Sequence, residues 1–181
     1  MNPVAELSDS FRGWAEIIGG RPEAGRYFRL TGTGPLIAYG WLLVAVLLSV
    51  AAQSAAFGGV PSPAQLLLGL VGQAVTVGLL AVVMAQTLHF IKVQIPLNVL
   101  LIPIVYALGY MFVVSVPLTL LGPYVGGLAV LAVGFLIYKL ARVAAEMALG
   151  TAIAFAVLCV IVLVVVPNAL YILTAAVPTP P

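Results

Sequence analysis

At 181 residues, 64% of them hydrophobic and only 7% charged, the chain has too little polar surface to clothe a water-soluble core, since soluble domains carry about 25% charged residues. Seven dispersed basic residues within a net charge of +2 form no nucleic-acid-binding patch. One cysteine, Cys159, and one histidine, His89, exclude a disulfide within the chain, a Cys-based metal site and a haem held by two of its own histidines. What remains is an all-α polytopic membrane protein: five transmembrane helices behind an N-terminal interfacial amphipathic helix, with no cofactor expected.

Residues 1–34 carry four Arg and four acidic residues before any long apolar run. That order is wrong for a secretory signal, so the first span is expected to be retained. Val4, Leu7, Phe11, Trp14 and Ile18 fall three and four apart, one stripe of an α-helix, while Asp9, Arg12 and Glu16 gather opposite. Gly19 and Gly20 stop this helix, and Pro22 opens a second short one to about Leu30. Arg26 and Arg29 would then reach lipid headgroups while Tyr27, Phe28 and Leu30 dip into the boundary. The stripe has two destinations open to it, lipid or a partner on one hand and the protein's own spans on the other. Residues 31–35 read as a loop.

About 20 apolar residues cross the hydrocarbon. The chain offers such runs at 35–57, 63–88, 96–117, 124–140 and 148–173, which make residues 35–177 the transmembrane domain and 178–181 a tail. Tyr39 and Trp41 open the first run as belt aromatics do. With five crossings, all seven basic residues fall on one side, and the loops 58–62 and 118–123 on the other carry no charge. The positive-inside bias makes the basic side cytoplasmic, so the amino terminus is expected inside and the carboxyl terminus outside. The Ala/Gly/Val/Leu-rich, Lys-poor composition fits a bacterial protein, placing it in the inner membrane with a periplasmic C-terminus.

Lys139, Arg142 and Glu146 are the only charges after Lys92. Each would cost about 2.5–3.5 kcal/mol at mid-bilayer, so the chain must surface between the fourth and fifth runs. The fourth helix is expected to continue past the boundary, with Lys139 snorkelling and Arg142 pairing with Glu146 one turn on. Gly122, Gly126 and Gly134, then Ala144, Ala148, Ala152 and Ala156, recur at helix-contact spacing and suggest a tight hairpin. Pro103, Pro117 and Pro167 can kink their spans. Gln53, Gln73, Thr76, Gln86, Asn98, Ser115 and Asn168 are the polar residues inside the runs, read first as interhelical glue. Mid-span carboxylates and arginines are absent from the sequence, which argues against a proton relay or voltage sensor. No nucleophile elbow, zincin motif, Walker A loop or dinucleotide fingerprint occurs.

This layout resembles the Yip family of Ypt-interacting five-span membrane proteins. Residues 17–28 (IIGGRPEAGRYF) are similar to the short Pro…Phe segment before that family's first span. The run 96–117 resembles its Pro- and Tyr-containing middle helix, and 136–155 the junction of its last two spans. The resemblance implies a helical bundle acting in membrane organisation, with partners bound on the cytoplasmic side. The expected function is accordingly a non-enzymatic scaffold or accessory subunit of a membrane assembly, partnered by lipid and by other membrane subunits or a second copy. Its contact residues would be Phe11, Trp14, Arg21, Arg26 and Arg29 from the N-terminal segment. Lys92, Lys139, Arg142 and Glu146 would join them from the loops. The alternative is a small channel or permease with Gln73, Gln86 and Asn168 lining a path.

Overall fold

A computed structural model describes residues 3–56, 58–119 and 125–175. Among these, all regular structure is helical: α1 (Pro3–Ile18), a 3₁₀ turn (Pro22–Tyr27), α2 (Gly34–Ala56), α3 (Pro63–Phe90), α4 (Asn98–Thr119), α5 (Val125–Val143) and α6 (Leu149–Ala175). Four of them, α2, α3, α4 and α6, are long and apolar enough to cross a membrane. α5 has 19 residues and bears Arg142 in its last turn. The expected helix start at Tyr124, Gly122, most of the uncharged loop 118–123 and the tail 178–181 lie outside the described residues.

Local chemistry sets the helix limits. α3 opens on a capping box in which Ser62 Oγ accepts from the Gln65 N–H at 3.2 Å and Gln65 Oε1 accepts from the Ser62 N–H at 2.8 Å. Pro63 supplies the first-turn φ. α3 and α5 each close on a left-handed residue, Lys92 at φ 58° and Glu146 at φ 49°. Around Lys92 the Val93 N–H reaches the Leu88 carbonyl at 3.1 Å, the six-to-one bond of a Schellman ending, whereas around Glu146 the Met147 N–H reaches one residue further back, to the Ala141 carbonyl at 3.1 Å.

The five long helices form a ring in the order α2, α4, α5, α6, α3 and back to α2, with α2 on α4 the most extensive contact. Short connections make successive helices antiparallel, which gathers residues 3–33 and the loops 91–97 and 144–148 at one end. That end is solid. Leu80 and Met84 of α3, Ile104 of α4, Ile137 and Leu140 of α5 and Phe155 of α6 are all buried there. The opposite half is hollow, a consequence of Gly69, Gly72, Ser49 and Ser54 lining it where larger side chains would fill it.

α4 is central because it is apolar on every side. Leu100 to Leu108 are buried all around the helix, so no single face can be given to lipid there. α4 also starts lower than α2: Asn98 Nδ2 donates to the Leu30 carbonyl at 3.4 Å, and Tyr106 Oη reaches the Gly34 carbonyl at 3.5 Å. Its first two turns therefore lie level with residues 28–34, which wrap them. Higher up, Gly109 lets the Trp41 indole lie directly against the α4 backbone, in space a Cβ would occupy. Gly134 does the same for Val160 between α5 and α6, beside buried Ala152 and Ala156, so the expected hairpin is close-packed.

Several sequence expectations are corrected. Of the seven polar residues named inside the runs, Thr76 alone is buried; Gln73 and Ser115 are half-buried, and Gln53, Gln86, Asn98 and Asn168 are exposed, while Ser49, not among them, is buried. Ala148 at the head of the small-residue stripe is exposed as well. Arg142 does not pair with Glu146. The helix ends at Val143, so the i,i+4 geometry is lost, and Arg142 Nη1 donates to the Met147 carbonyl at 2.6 Å.

Gly109→Val forces a side chain into the Trp41 ring and should lower thermal stability in detergent by about 1–3 kcal/mol. Gly78→Ala, where a Cβ meets nothing within 4 Å, should leave the melting temperature unchanged or raise it.

Candidate docking face

The end of the bundle at which α2 begins is covered by α1, and the seam between them is polar. The buried residues of α1 are Glu6, Ser10, Gly13, Trp14 and Ile17. Trp14 Nε1 donates to the Pro103 carbonyl of α4 at 3.2 Å. Tyr110 Oη donates to the Leu7 carbonyl at 2.7 Å and sits 2.6 Å from Ser10 Oγ, which also bonds Leu7 O at 2.8 Å. Glu6, only 5% exposed, lies 3.4 Å from Tyr106 Oη and 3.9 Å from Arg29 Nη1.

Phe28 completes the seam from outside the helix. Its ring stands edge-on to Trp14 at 6.1 Å and tilted to Tyr106 at 6.3 Å. Gly13 makes room for it, since a Cβ there would come within 2.6 Å of the ring. The 3₁₀ turn thus pins α1 against α4 from below, using the aromatic residue that follows it.

The apolar stripe of α1 is not this seam. Val4, Phe11 and Ile18 are exposed, Leu7 is half-buried and Trp14 alone is buried. On a helix of 3.6 residues per turn the stripe lies about 90° round from the buried face. α1 therefore presents three sectors: Glu6, Ser10 and Gly13 with Trp14 and Ile17 to the protein, an apolar column outward, and Arg12, Asp9 and Glu16 on the third side.

The expected contact residues divide accordingly. Trp14 is consumed by the core. Phe11 is 67% exposed, and its ring forms a T-shaped pair with Tyr110 at 6.0 Å. Arg21 is held by Glu16 at 2.8 Å and Arg26 by Glu23 at 2.9 Å. With Tyr27 these four line a shallow polar hollow of about 250 Å³. The Tyr27 hydroxyl, and after it Glu23, holds the Arg26 guanidinium above its ordinary range. Arg29 reaches toward Glu6, so it braces the seam. Lys92 stands alone on its turn, and Lys139 Nζ lies 5.9 Å over the Phe135 ring. Arg142 stitches its own loop, and Glu146 is exposed beside it. The N-terminal residues come together; the loop charges do not join them.

Glu6, Ser10, Tyr106 and Tyr110 were not singled out by sequence. Their signal was a matched spacing, since Glu6 and Ser10 are four apart and so are Tyr106 and Tyr110. Among the described residues no three of His, Cys, Asp or Glu gather where they could hold a metal ion.

No protein-family model, no curated protein and no solved structure matches the chain. The class defined by its fold is an all-helical protein with four helices able to cross a membrane.

Tyr110→Phe removes the bonds to Leu7 and Ser10 and leaves Ser10 buried against a ring. Amide exchange over residues 3–18 should accelerate by roughly tenfold, from the ~1–2 kcal/mol such bonds contribute, while α6 stays protected. Glu146→Gly should stabilise by about 1 kcal/mol in chemical denaturation, because a left-handed residue with a Cβ costs about 1–2 kcal/mol and glycine returns part of that as chain entropy.

Proposed function

We propose that the protein is a non-enzymatic integral membrane protein of a bacterial inner membrane, acting as a scaffold or accessory subunit. α5 joins the other four long helices as a fifth span, with residues 3–33 and both charged loops in the cytoplasm. α1 lies in the membrane interface, its apolar column toward lipid and its charged side toward water. The observation that carries this reading is the three-sector arrangement of α1. A helix held to its own bundle by polar groups, yet offering Val4, Phe11 and Ile18 outward, meets lipid and partner subunits at once. The helix order and the wrapped Pro…Phe segment are what favour a Yip-like membrane organiser. Partners would be other membrane subunits or a second copy, seated on the apolar column and the hollow between Arg21 and Arg26.

A small channel or permease is the second reading, and the hollow half of the ring favours it. Gln73 lines that hollow, but Gln86 and Asn168 do not, and Leu80, Met84 and Ile104 fill the other half.

Two measurements test the leading reading. In a Cys159→Ala background, Val60→Cys should react with an impermeant thiol reagent on intact cells, while Lys92→Cys and Arg142→Cys react only after lysis. Reaction of Val60 and Arg142 from the same side would overturn the topology. Mild-detergent purification should yield a stoichiometric partner or homo-oligomer that Phe11→Glu dissociates. A lone monomer that conducts solute in liposomes would support the channel instead.

A further inference from the structure

The hollow half of the ring encloses a cavity of about 930 Å³ between α2, α3 and α6, with Phe112 of α4 reaching in. A second compartment of about 180 Å³ extends it toward α5. The two share Gln73, Thr76, Phe112, Leu163 and Pro167, so they form one chamber. It is the size of pockets that hold small organic ligands. Among the described residues no Asp, Glu, Lys, Arg or His lines it.

Most of its polar groups are already spent. Gln53 Nε2 donates to Ser49 Oγ at 3.0 Å, Thr76 Oγ1 to the Gly72 carbonyl at 2.7 Å and Ser115 Oγ to the Phe112 carbonyl at 2.7 Å. Two lining side chains, Ser54 and Gln73, have no side-chain hydrogen bond among the described residues; of these the half-buried Gln73 stands where the two compartments meet. Ten residues into α3 it is about 15 Å from the helix start, near the middle of a hydrocarbon layer about 30 Å thick. A free amide at that depth is costly unless something bonds it. Pro167 adds a second vacancy: it has no N–H, so the Leu163 carbonyl lacks its helical donor. The Gln73 amide and the Leu163 carbonyl thus remain open to an uncharged ligand in a chamber that is largely apolar.

The rim opens at two places, at the α2–α3 turn, where Gly59, Val60 and Gln65 line it, and along its side, where it is largely apolar. Leu68, Val71 and Tyr171 line the cavity and are themselves exposed on the outside of the ring, where α2 and α3 touch less than α2 and α4 do. A molecule can therefore enter sideways from lipid.

We propose that this chamber binds one uncharged, lipid-soluble molecule with a hydroxyl or carbonyl head, the head bonded at Gln73 and the tail leaving past Leu68 and Val71. A phosphate or ammonium head would be stripped of water with no opposite charge to meet it, so charged lipids are rejected from the inner end. The site rests on the membrane reading, whose own failure shows separately in the Val60 and Arg142 labelling.

The test uses the full chain in phosphatidylcholine nanodiscs with two photoactivatable probes, a diacylglycerol and a phosphatidylglycerol carrying the same diazirine acyl chain. The diacylglycerol should label peptides containing Leu68, Val71 and Phe112 at least several-fold more than the charged probe does. Gln73→Leu should cut that labelling on the order of fivefold, the worth of one hydrogen bond, without lowering the melting temperature, because it removes an unbonded amide. Gly72→Phe, which sets a ring into the chamber next to Gln73 in the chain, should reduce the labelling several-fold. Equal labelling by both probes, or labelling indifferent to Gly72→Phe, would overturn the site. So would rapid reaction of Gly72→Cys, in the Cys159→Ala background, with a charged thiol reagent from outside. The chamber would then be a water-filled vestibule. Should Gly72→Phe fail to fold, the comparison of probes on the unaltered protein decides alone.

Discussion

A helix that is apolar on all sides has to be surrounded, and the first half of α4 is the place where this chain must provide the surroundings itself. Leu100 to Leu108 offer no polar face. α2 covers one side and α5 another, but α2 begins only at the level of Tyr106, so the two lowest turns would be bare below it. Residues 3–30 supply the missing wall. They do so with Trp14, Ile17, Ala24 and Phe28, all buried. The N-terminal segment is thus part of the bundle's core, and whatever else α1 does, it does from a fixed position.

That fixing is polar where the bulk of the protein is apolar, and there is a physical reason. Among helices in lipid, burying one more methyl group discriminates little, because acyl chains solvate it as well as a neighbouring helix would. Hydrogen bonds are directional and set register. Tyr110 on Leu7 and Ser10, and Trp14 on the Pro103 carbonyl, lock α1 both along and around its axis. The acceptor for Trp14 is a backbone carbonyl, that of Pro103, within the apolar helix itself. The arrangement also leaves the apolar column of α1 on the outer surface, which a seam of leucines would not.

The long helices were legible because length and hydropathy alone define them; α2, α3, α4 and α6 lie within two residues of the expected limits at both ends, and only α5 overruns, by about a turn, to Val143. The rotation of each helix was not. α3, α4 and α6 are apolar nearly all round, so they carry no phase from which to say that Thr76 turns inward while Gln86 and Asn168 turn out. α1 does carry a phase, and it misleads. Its apolar stripe points to what is greasy outside as readily as to what is greasy inside, and only the tyrosines of α4, about 100 residues away, decide between them. The Arg142–Glu146 pairing failed for a local reason. Spacing of four implies proximity only while the helix lasts, and the left-handed backbone at Glu146 ends it first.

The ring's two ends then differ in kind, and the difference follows from side-chain volume. At the α1 end, Leu80, Met84, Leu100, Ile104, Ile137 and Phe155 interlock and leave no room for rearrangement, as close-packed interiors do not. At the other end Ser49, Gly69 and Gly72 cannot fill the space between helices held apart by the same ring. Pro167 sits at the edge of that space, where a missing backbone bond makes α6 easier to bend. Rigidity and give are therefore separated along the bundle axis. A molecule entering the hollow end can be accommodated by movement of α6 and α3 there, while the seam that holds α1 at the far end stays as it is.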